Sequence, residues 1–558
     1  MPSIRFLPEQ KTVCAAPGTT IAEAARAAGV AIETPCNGAL ICGKCKVKLA
    51  PADLSRVDSS AGAHLTDDAE KAEGCVLACA ATVHGDICVT IVNEGGVRAE
   101  TQTVRDGRSF DAALAPAIGK DYLPERDETA VRTAGGALRG LEPGDTRDAL
   151  YGLVADIGTT TLVTELVDLR TGRAMAARSS VNPQAAYGQD VLTRIGFASD
   201  PQGLATLHTL ILREINAMTA DLCEETGVRA SRIYEIVLSG NTAMLHLVMG
   251  RDPAPLGRVP FVSRLAGGEN FDAKESGFAI SPFGLAYLPP LISAYVGADI
   301  SSGVLAAQLH KREGRSLFVD IGTNGEMILA ADGRLCAASA AAGPAFEGMN
   351  IKFGMRATAG AIEHFKTEDT GAFSVRAIGG APPSGICGSG LIDIMGELVG
   401  NGVLDETGRF VSADALPPHF AARMTCEDGK PAFSVAKGVC LTQQDVRQVQ
   451  LAKGALRAAV ETLLKVLRTD ADEIDRVLIA GSFGYHLRAE NLIRIGLLPE
   501  AFAGKIEFLG NTSQSGGRAF LVNRYCREEM AALAARIEVV ELANREDFNK
   551  LFIDCLGF

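Results

Sequence analysis

Three cysteines stand in one tight loop, Cys36-x5-Cys42-x2-Cys45, and a fourth follows in Leu77-Ala78-Cys79. Thiolates converging from a compact loop, plus one from a neighbouring strand, suit an iron-sulfur cluster, and the glycines of the loop let backbone amides turn toward the sulfurs. A four-thiolate zinc cage is the alternative, but such cages usually draw on two C-x2-C knuckles and this loop has one. Cys75, four residues before Cys79, is a rival fourth ligand that position alone does not exclude. Cys14 and Cys88 fall inside predicted strands and read as core thiols.

A second chemistry lies further along. Asp156-Ile157-Gly158-Thr159-Thr160-Thr161 and Asp320-Ile321-Gly322-Thr323-Asn324-Gly325-Glu326 repeat an Asp-Ile-Gly-Thr turn at the end of an apolar run. Glycine lets the backbone approach a phosphate while amides and hydroxyls donate to it, and the carboxylates of Asp156 and Asp320 suit a hydrated Mg2+ between the turns. Glu326 is positioned either to orient an attacking water or to sit exposed on its strand. A third element, Val477-Leu478-Ile479-Ala480-Gly481-Ser482-Phe483-Gly484, runs an apolar strand into small residues that permit close approach of an adenosine. No Gly-x4-Gly-Lys-Ser/Thr is present, so a P-loop is not the phosphate holder.

The elements that must position these groups follow from local pattern. Ser3 to Phe6 and Lys11 to Ala15 read as a hairpin, and Thr20 with Glu23 caps a helix from Ile21 to Ala28. Extended runs Cys45 to Leu49 and Ile87 to Val92 complete a small sheet wrapped on that helix. From 93 to 149 the periodicity fades and Gly, Pro and charged residues dominate, which predicts a linker or reduced middle region with a short helix near Asp111 to Leu114. After 149, buried strands alternate with amphipathic helices, an α/β signature. The two aspartates are 164 residues apart, which predicts an internal duplication with a cleft between lobes of roughly 150–312 and 313–558. A helix from Gln443 to about Leu464 places Gln450 and Lys453 on one polar face beside an apolar stripe.

Composition narrows the partners. A net charge of −13 argues against nucleic acid or an anionic membrane as the main partner, since those need clustered Lys and Arg. No apolar run is long enough to span a bilayer, so a cytoplasmic protein is expected. Seven of the 14 cysteines lie between Cys14 and Cys88, and the clustered half is where metal ligands are expected; the scattered half contains no C-x-x-C pair.

The first 92 residues, with hairpin, helix and cysteine loop in that order, resemble the adrenodoxin-like branch of the β-grasp 2Fe-2S ferredoxins; the resemblance favours Cys79 as the fourth ligand. The three glycine turns resemble the actin-like superfamily that includes sugar kinases. That resemblance implies that Gly158, Thr159, Thr160, Gly322, Thr323, Asn324, Gly481, Ser482, Phe483 and Gly484 contact ATP, and that Gln450 and Lys453 line the cleft. Five further strings narrow the family: Asn182–Val191 (Asn-Pro-Gln-Ala-Ala-Tyr-Gly-Gln-Asp-Val), Ser239–Met244 (Ser-Gly-Asn-Thr-Ala-Met), Ala342–Gly348 (Ala-Gly-Pro-Ala-Phe-Glu-Gly), Gly385–Gly390 (Gly-Ile-Cys-Gly-Ser-Gly) and Gly510–Ser513 (Gly-Asn-Thr-Ser). Together with the ferredoxin-like segment they resemble the reductive activators of corrinoid proteins, over 1 to 92 and 150 to 558. The resemblance implies an ATPase that passes an electron from its 2Fe-2S cluster to the Co(II) centre of a corrinoid protein. It also implies an external electron donor and a homodimer. The segment after residue 92 reads as short beside relatives with a larger middle domain. The competing expectations are an ATP-driven electron donor to another low-potential acceptor, a redox-regulated small-molecule kinase, and a scaffold whose cluster is only structural.

Overall fold

The computed structural model describes residues 1–30, 32, 34, 38, 40, 43–66, 68–92, 112–427, 429–481 and 487–558. Near the N-terminus, strands run in the order Lys11–Cys14, Ser3–Leu7, Ile87–Ile91, Lys46–Leu49, Cys75–Leu77, a mixed β-grasp sheet in which Ser3–Leu7 and Ile87–Ile91 pair in parallel. Its helix, Ile21–Ala27, opens on the expected capping box, with Thr20 and Glu23 each accepting from the other's backbone N–H. Ile4, Phe6, Val47 and Val89 of the sheet bury against Ile21 and Ala25 of the helix.

Residues 118–143, expected as tether, instead form a three-stranded antiparallel sheet, Ile118–Leu123, Glu128–Thr133 and Leu138–Pro143. It is fastened to the following lobe. Glu142 accepts from Tyr234 Oη at 2.5 Å and Arg232 at 2.6 Å, Arg139 pairs with Asp272 at 2.6 Å, and Ile118 and Val131 enter the same apolar core as Val154 and Val237. The charged and glycine-rich composition that reads as linker here supplies ion pairs and turns. The predicted helix near 111 to 114 is not formed over the described residues 112–114, which have no regular structure.

The remainder is two α/β lobes, each on a six-stranded sheet. In the first, Tyr151–Ile157 pairs antiparallel with Thr161–Asp168 and parallel with Ile233–Gly240; in the second, Ser316–Ile321 pairs antiparallel with Gly325–Ala331 and parallel with Arg476–Ala480. This repetition of hairpin plus parallel neighbour is the expected duplication. The helices Ala298–Ala307 and Thr512–Val522 meet along the seam, where Ser239 Oγ lies 2.9 Å from Ser302 Oγ and 2.8 Å from Ser513 Oγ. Ile300, Val304, Phe318 and Phe520 share one core there, so both lobes are anchored to a common apolar centre.

Candidate functional site

Each lobe delivers its Asp-Ile-Gly-Thr turn to one cleft of about 210 Å³. The delivery uses the same device twice. The parallel neighbour strand ends in or leads straight into a glycine, Gly240 at φ +154° and Gly481 at φ +119°, where a Cβ would stand 2.6 Å from the carbonyl oxygen of Ile157 and 2.5 Å from that of Ile321. Only glycine permits that approach, which brings the strand ends level with the turns. As a result the Thr160 and Thr323 hydroxyls lie 3.4 Å apart although 163 positions separate them in sequence. Asn182 Nδ2 donates to the Gly158 carbonyl at 2.8 Å and Asn241 Nδ2 to Thr159 Oγ1 at 3.0 Å, fixing the first turn from behind.

Six carboxyl groups line this cleft, and four of them, Asp156, Asp299, Asp320 and Glu326, are shifted by burial. Burial raises the proton affinity of all four. Asp320 is pushed up to about 7 by burial and then by the charge of Asp156, and Glu326 is held well above the carboxylate range by burial and by Asp299 and Asp320. Asp156 differs in accepting from Ser513 Oγ at 2.7 Å and Asn511 Nδ2 at 2.9 Å, which offset its burial. Among the described residues none of the four makes an ion pair with Lys or Arg, and no three converge closely enough to chelate an ion directly. Such a set suits a divalent cation that keeps its waters.

In the ferredoxin-like domain, Cys45 Sγ and Cys79 Sγ lie 3.1 Å apart, well beyond a disulfide bond, and the Cys79 N–H points at Cys45 Sγ over 3.5 Å. Two thiols held side by side with an amide donor fit a shared cluster. Cys75 sits opposite Lys48 in the ladder, three positions further along from Cys45, so the strand register brings Cys79 rather than Cys75 to it. Cys36 and Cys42 lie outside the described residues. Lys44, beside Cys45, reaches into the second lobe: its Nζ donates to the Gly354 carbonyl at 2.5 Å and the Gly348 carbonyl at 3.2 Å.

Family models match three successive stretches: a 2Fe-2S iron-sulfur cluster binding domain over 5–84, the RACo middle region over 151–312 and the C-terminal ASKHA domain of RACo over 314–558. Corrinoid activation enzyme RamQ of Eubacterium limosum is 30% identical over 415 residues, covering 72% of this chain and 70% of that protein. A solved structure of a reductive activator for corrinoid, iron-sulfur protein matches with a TM-score of 0.73 at 30% identity, covering 100% of this chain and 98% of that one. The chain belongs to the reductive activators of corrinoid proteins. A further member, the Co(II) methylated amine-specific corrinoid protein reductase of Methanosarcina barkeri, is 27% identical over 443 residues, with 73% of this chain and 77% of that protein covered. Against the solved activator the expected shortfall after residue 92 does not exist, since coverage is nearly complete in both directions.

Within this activator, Asp156, Gly158, Thr159, Thr160, Asp320, Gly322, Thr323, Asn324, Glu326 and Gly481 all line the cleft. Glu326 is 6% exposed, so the alternative of an exposed strand residue is set aside. Ser482, Phe483 and Gly484 lie outside the described residues. Gln450 and Lys453 are corrected: they neither line the cleft nor form a solvated face. Gln450 Nε2 donates to the Thr407 and Leu556 carbonyls, both at 3.1 Å, while Lys453 Nζ donates to the Gly557 carbonyl and stands 5.1 Å from the centre of the Phe558 ring. Both clasp the C-terminal tail, a contact invisible to helical periodicity.

Sequence reading missed three residues. Asp299 is in the first turn of the seam helix, where an acid reads as ordinary helix chemistry. Arg194, fully buried, donates to the Thr159 carbonyl at 2.5 Å and the Gly188 carbonyl at 2.8 Å behind the first turn; burial pushes its guanidinium down to about 9. Glu347 lies inside the string Ala342–Gly348, but nothing in that string signals its role. Its carboxylate accepts from both the Thr160 and Thr323 hydroxyls.

Proposed function

We propose that this protein is an ATP-dependent reductase that delivers one electron to the Co(II) centre of a bound corrinoid protein, returning it to Co(I). The observation that supports this reading best is the contact of the cluster loop with the nucleotide-binding lobe through Lys44, which puts the two chemistries in one mechanical unit. The activities named for the relatives from Eubacterium limosum and Methanosarcina barkeri support it too.

In this reading Cys36, Cys42, Cys45 and Cys79 hold a 2Fe-2S cluster, which when bound supplies one electron at roughly −400 mV. Moving an electron uphill costs about 2.3 kcal/mol per 100 mV, so nucleotide binding must favour one arrangement of protein and acceptor over another. The chain's own groups set up that difference. The turn amides and the hydroxyls of Thr159, Thr160 and Thr323 receive the phosphates. Asp320 and Asp299 would hold a hydrated Mg2+, which would supply positive charge against the repulsion among the buried carboxyls. Glu326 would orient the attacking water. An external electron donor reloads the ferredoxin-like domain, and the protein acts in the cytoplasm as a homodimer. Among the described residues no helix is long and apolar enough to cross a membrane.

Cys45→Ser tests the electron path. It should remove the visible absorption of the cluster and all Co(I) formation while the chain still binds ATP. Co(I) formation that persists without the absorption contradicts the reading.

A further inference from the structure

Glu347 occupies the place where the two phosphate turns come closest. Thr160 Oγ1 donates to its Oε2 and Thr323 Oγ1 to its Oε1, so one carboxylate bridges both lobes. A carboxylate and a phosphate oxygen are equivalent partners for such hydroxyls: both are anionic acceptors. An internal anion in a cleft lined by five other carboxyl groups is held against repulsion, with the buried Arg194 guanidinium as an attracting charge behind the first turn. Two anions cannot share the same pair of hydroxyls.

The residue after Glu347 is Gly348, whose carbonyl accepts from Lys44, as does that of Gly354. The segment between them is folded tightly on itself. A Cβ on Gly354 would stand 2.0 Å from the Gly348 oxygen, and the Met349 N–H donates to the Pro344 carbonyl at 3.1 Å. Gly388, at the start of the helix Gly388–Gly400, backs onto the chain just before Glu347, with no room for a Cβ beside the Phe346 oxygen. A displacement that carries the Glu347 backbone with it would therefore shift the adjoining Gly348 carbonyl, and through the packed turn that of Gly354, the two that Lys44 grips.

We propose that Glu347 is a positioning residue that competes with the terminal phosphate of ATP for the Thr160 and Thr323 hydroxyls, and that ATP, by displacing it, loosens the Lys44 dock of the cluster loop. This deepens the reading under Proposed function and rests on it. Nucleotide occupancy is thereby linked to the freedom of the ferredoxin-like domain to turn toward its acceptor. By reciprocity, anything that weakens the dock also favours nucleotide.

The test is calorimetric titration of the full, cluster-loaded chain with Mg-AMPPNP, paired with hydrogen exchange over 43–50 and 348–355. Glu347→Gln removes the competing charge and should tighten nucleotide binding about tenfold, since the apparent Kd carries the fraction of protein whose cleft is free. Nucleotide should also raise exchange in both segments of the wild type, and Glu347→Gln should show that raised exchange without nucleotide. Lys44→Gln, far from the phosphates, should tighten binding about twofold to threefold. Its visible spectrum, and that of Glu347→Gln, reports whether the domain has folded. Equal or weaker binding by Glu347→Gln, or unchanged affinity in Lys44→Gln, overturns the proposal while leaving the activator reading intact. A wild type that binds no nucleotide overturns both.

Discussion

Asp156 and Asp320 are the same residue of a duplicated turn, in the same strand position, yet the two lobes use them differently. Asp156 is satisfied from across the seam by Ser513 and Asn511, at the start of the helix Thr512–Val522. Among the described residues Asp320 receives no side-chain donor, and its carboxyl is pushed up to about 7 by burial and by the charge of Asp156. One copy has become a structural link between lobes. The other has no such side-chain donor among the described residues. Duplication supplied a symmetric frame, and the surrounding donors, not the turn sequence, decided which copy is available for chemistry.

The sharpest way to break this comparison is to remove each carboxylate in turn. Asp320→Ala should lower ATP-driven Co(I) formation by at least ~100-fold, as loss of a preorganised electrostatic group does, with the cluster spectrum unchanged. Retained Co(I) formation would show that Asp320 is not the cation-facing copy.

Asp156→Asn should act chiefly on stability. It exchanges two charge-assisted hydrogen bonds for weaker ones and leaves a side-chain amide facing the Asn511 amide, a loss of about 1–3 kcal/mol in thermal or urea unfolding. If Asp156→Asn unfolds like wild type, the seam contact carries no stability and the contrast with Asp320 fails.

Asp320→Asn should change stability with the opposite sign. In the empty folded protein Asp320 keeps its proton up to about pH 7, whereas an unfolded chain releases it near 4. The folded state therefore binds more protons in that window, and its stability falls as pH rises from about 4 to about 7. Asp320→Asn removes this contribution, so nucleotide-free protein at pH 7.5 should gain stability, read as a rise in Tm that shrinks as the pH is lowered toward 4. Mg-nucleotide should flatten the same pH dependence in the wild type. A wild-type stability that rises over this window would mean that the carboxyl is not raised.

Much of the site was legible because its chemistry is local in sequence. The Asp-Ile-Gly-Thr turns and the capped helix at Thr20 each depend on neighbours within a few residues, and the structure forms both. The cysteine loop is local in the same sense, although two of its sulfurs lie outside the described residues. What was not legible depends on contacts across the chain. Asp299 reaches the cleft only because the seam helix packs between the lobes, and Glu347 matters only because two distant turns meet at its carboxylate. Gln450 and Lys453 show the converse. Helical spacing placed them on one face correctly, but the partner of that face is the C-terminal tail, which no periodicity encodes. The sheet at 118–143 was hidden by composition, since its charged residues are consumed in pairs with Arg232 and Asp272 of the next lobe.

The most direct test is anaerobic optical spectroscopy of a Co(II) corrinoid protein mixed with the reduced protein, with and without Mg-ATP. Co(I) absorption that grows only when Mg-ATP is present is the predicted result. Co(I) formation at the same rate without ATP, or none with ATP across several corrinoid partners despite an intact cluster, would contradict the coupling of the two sites.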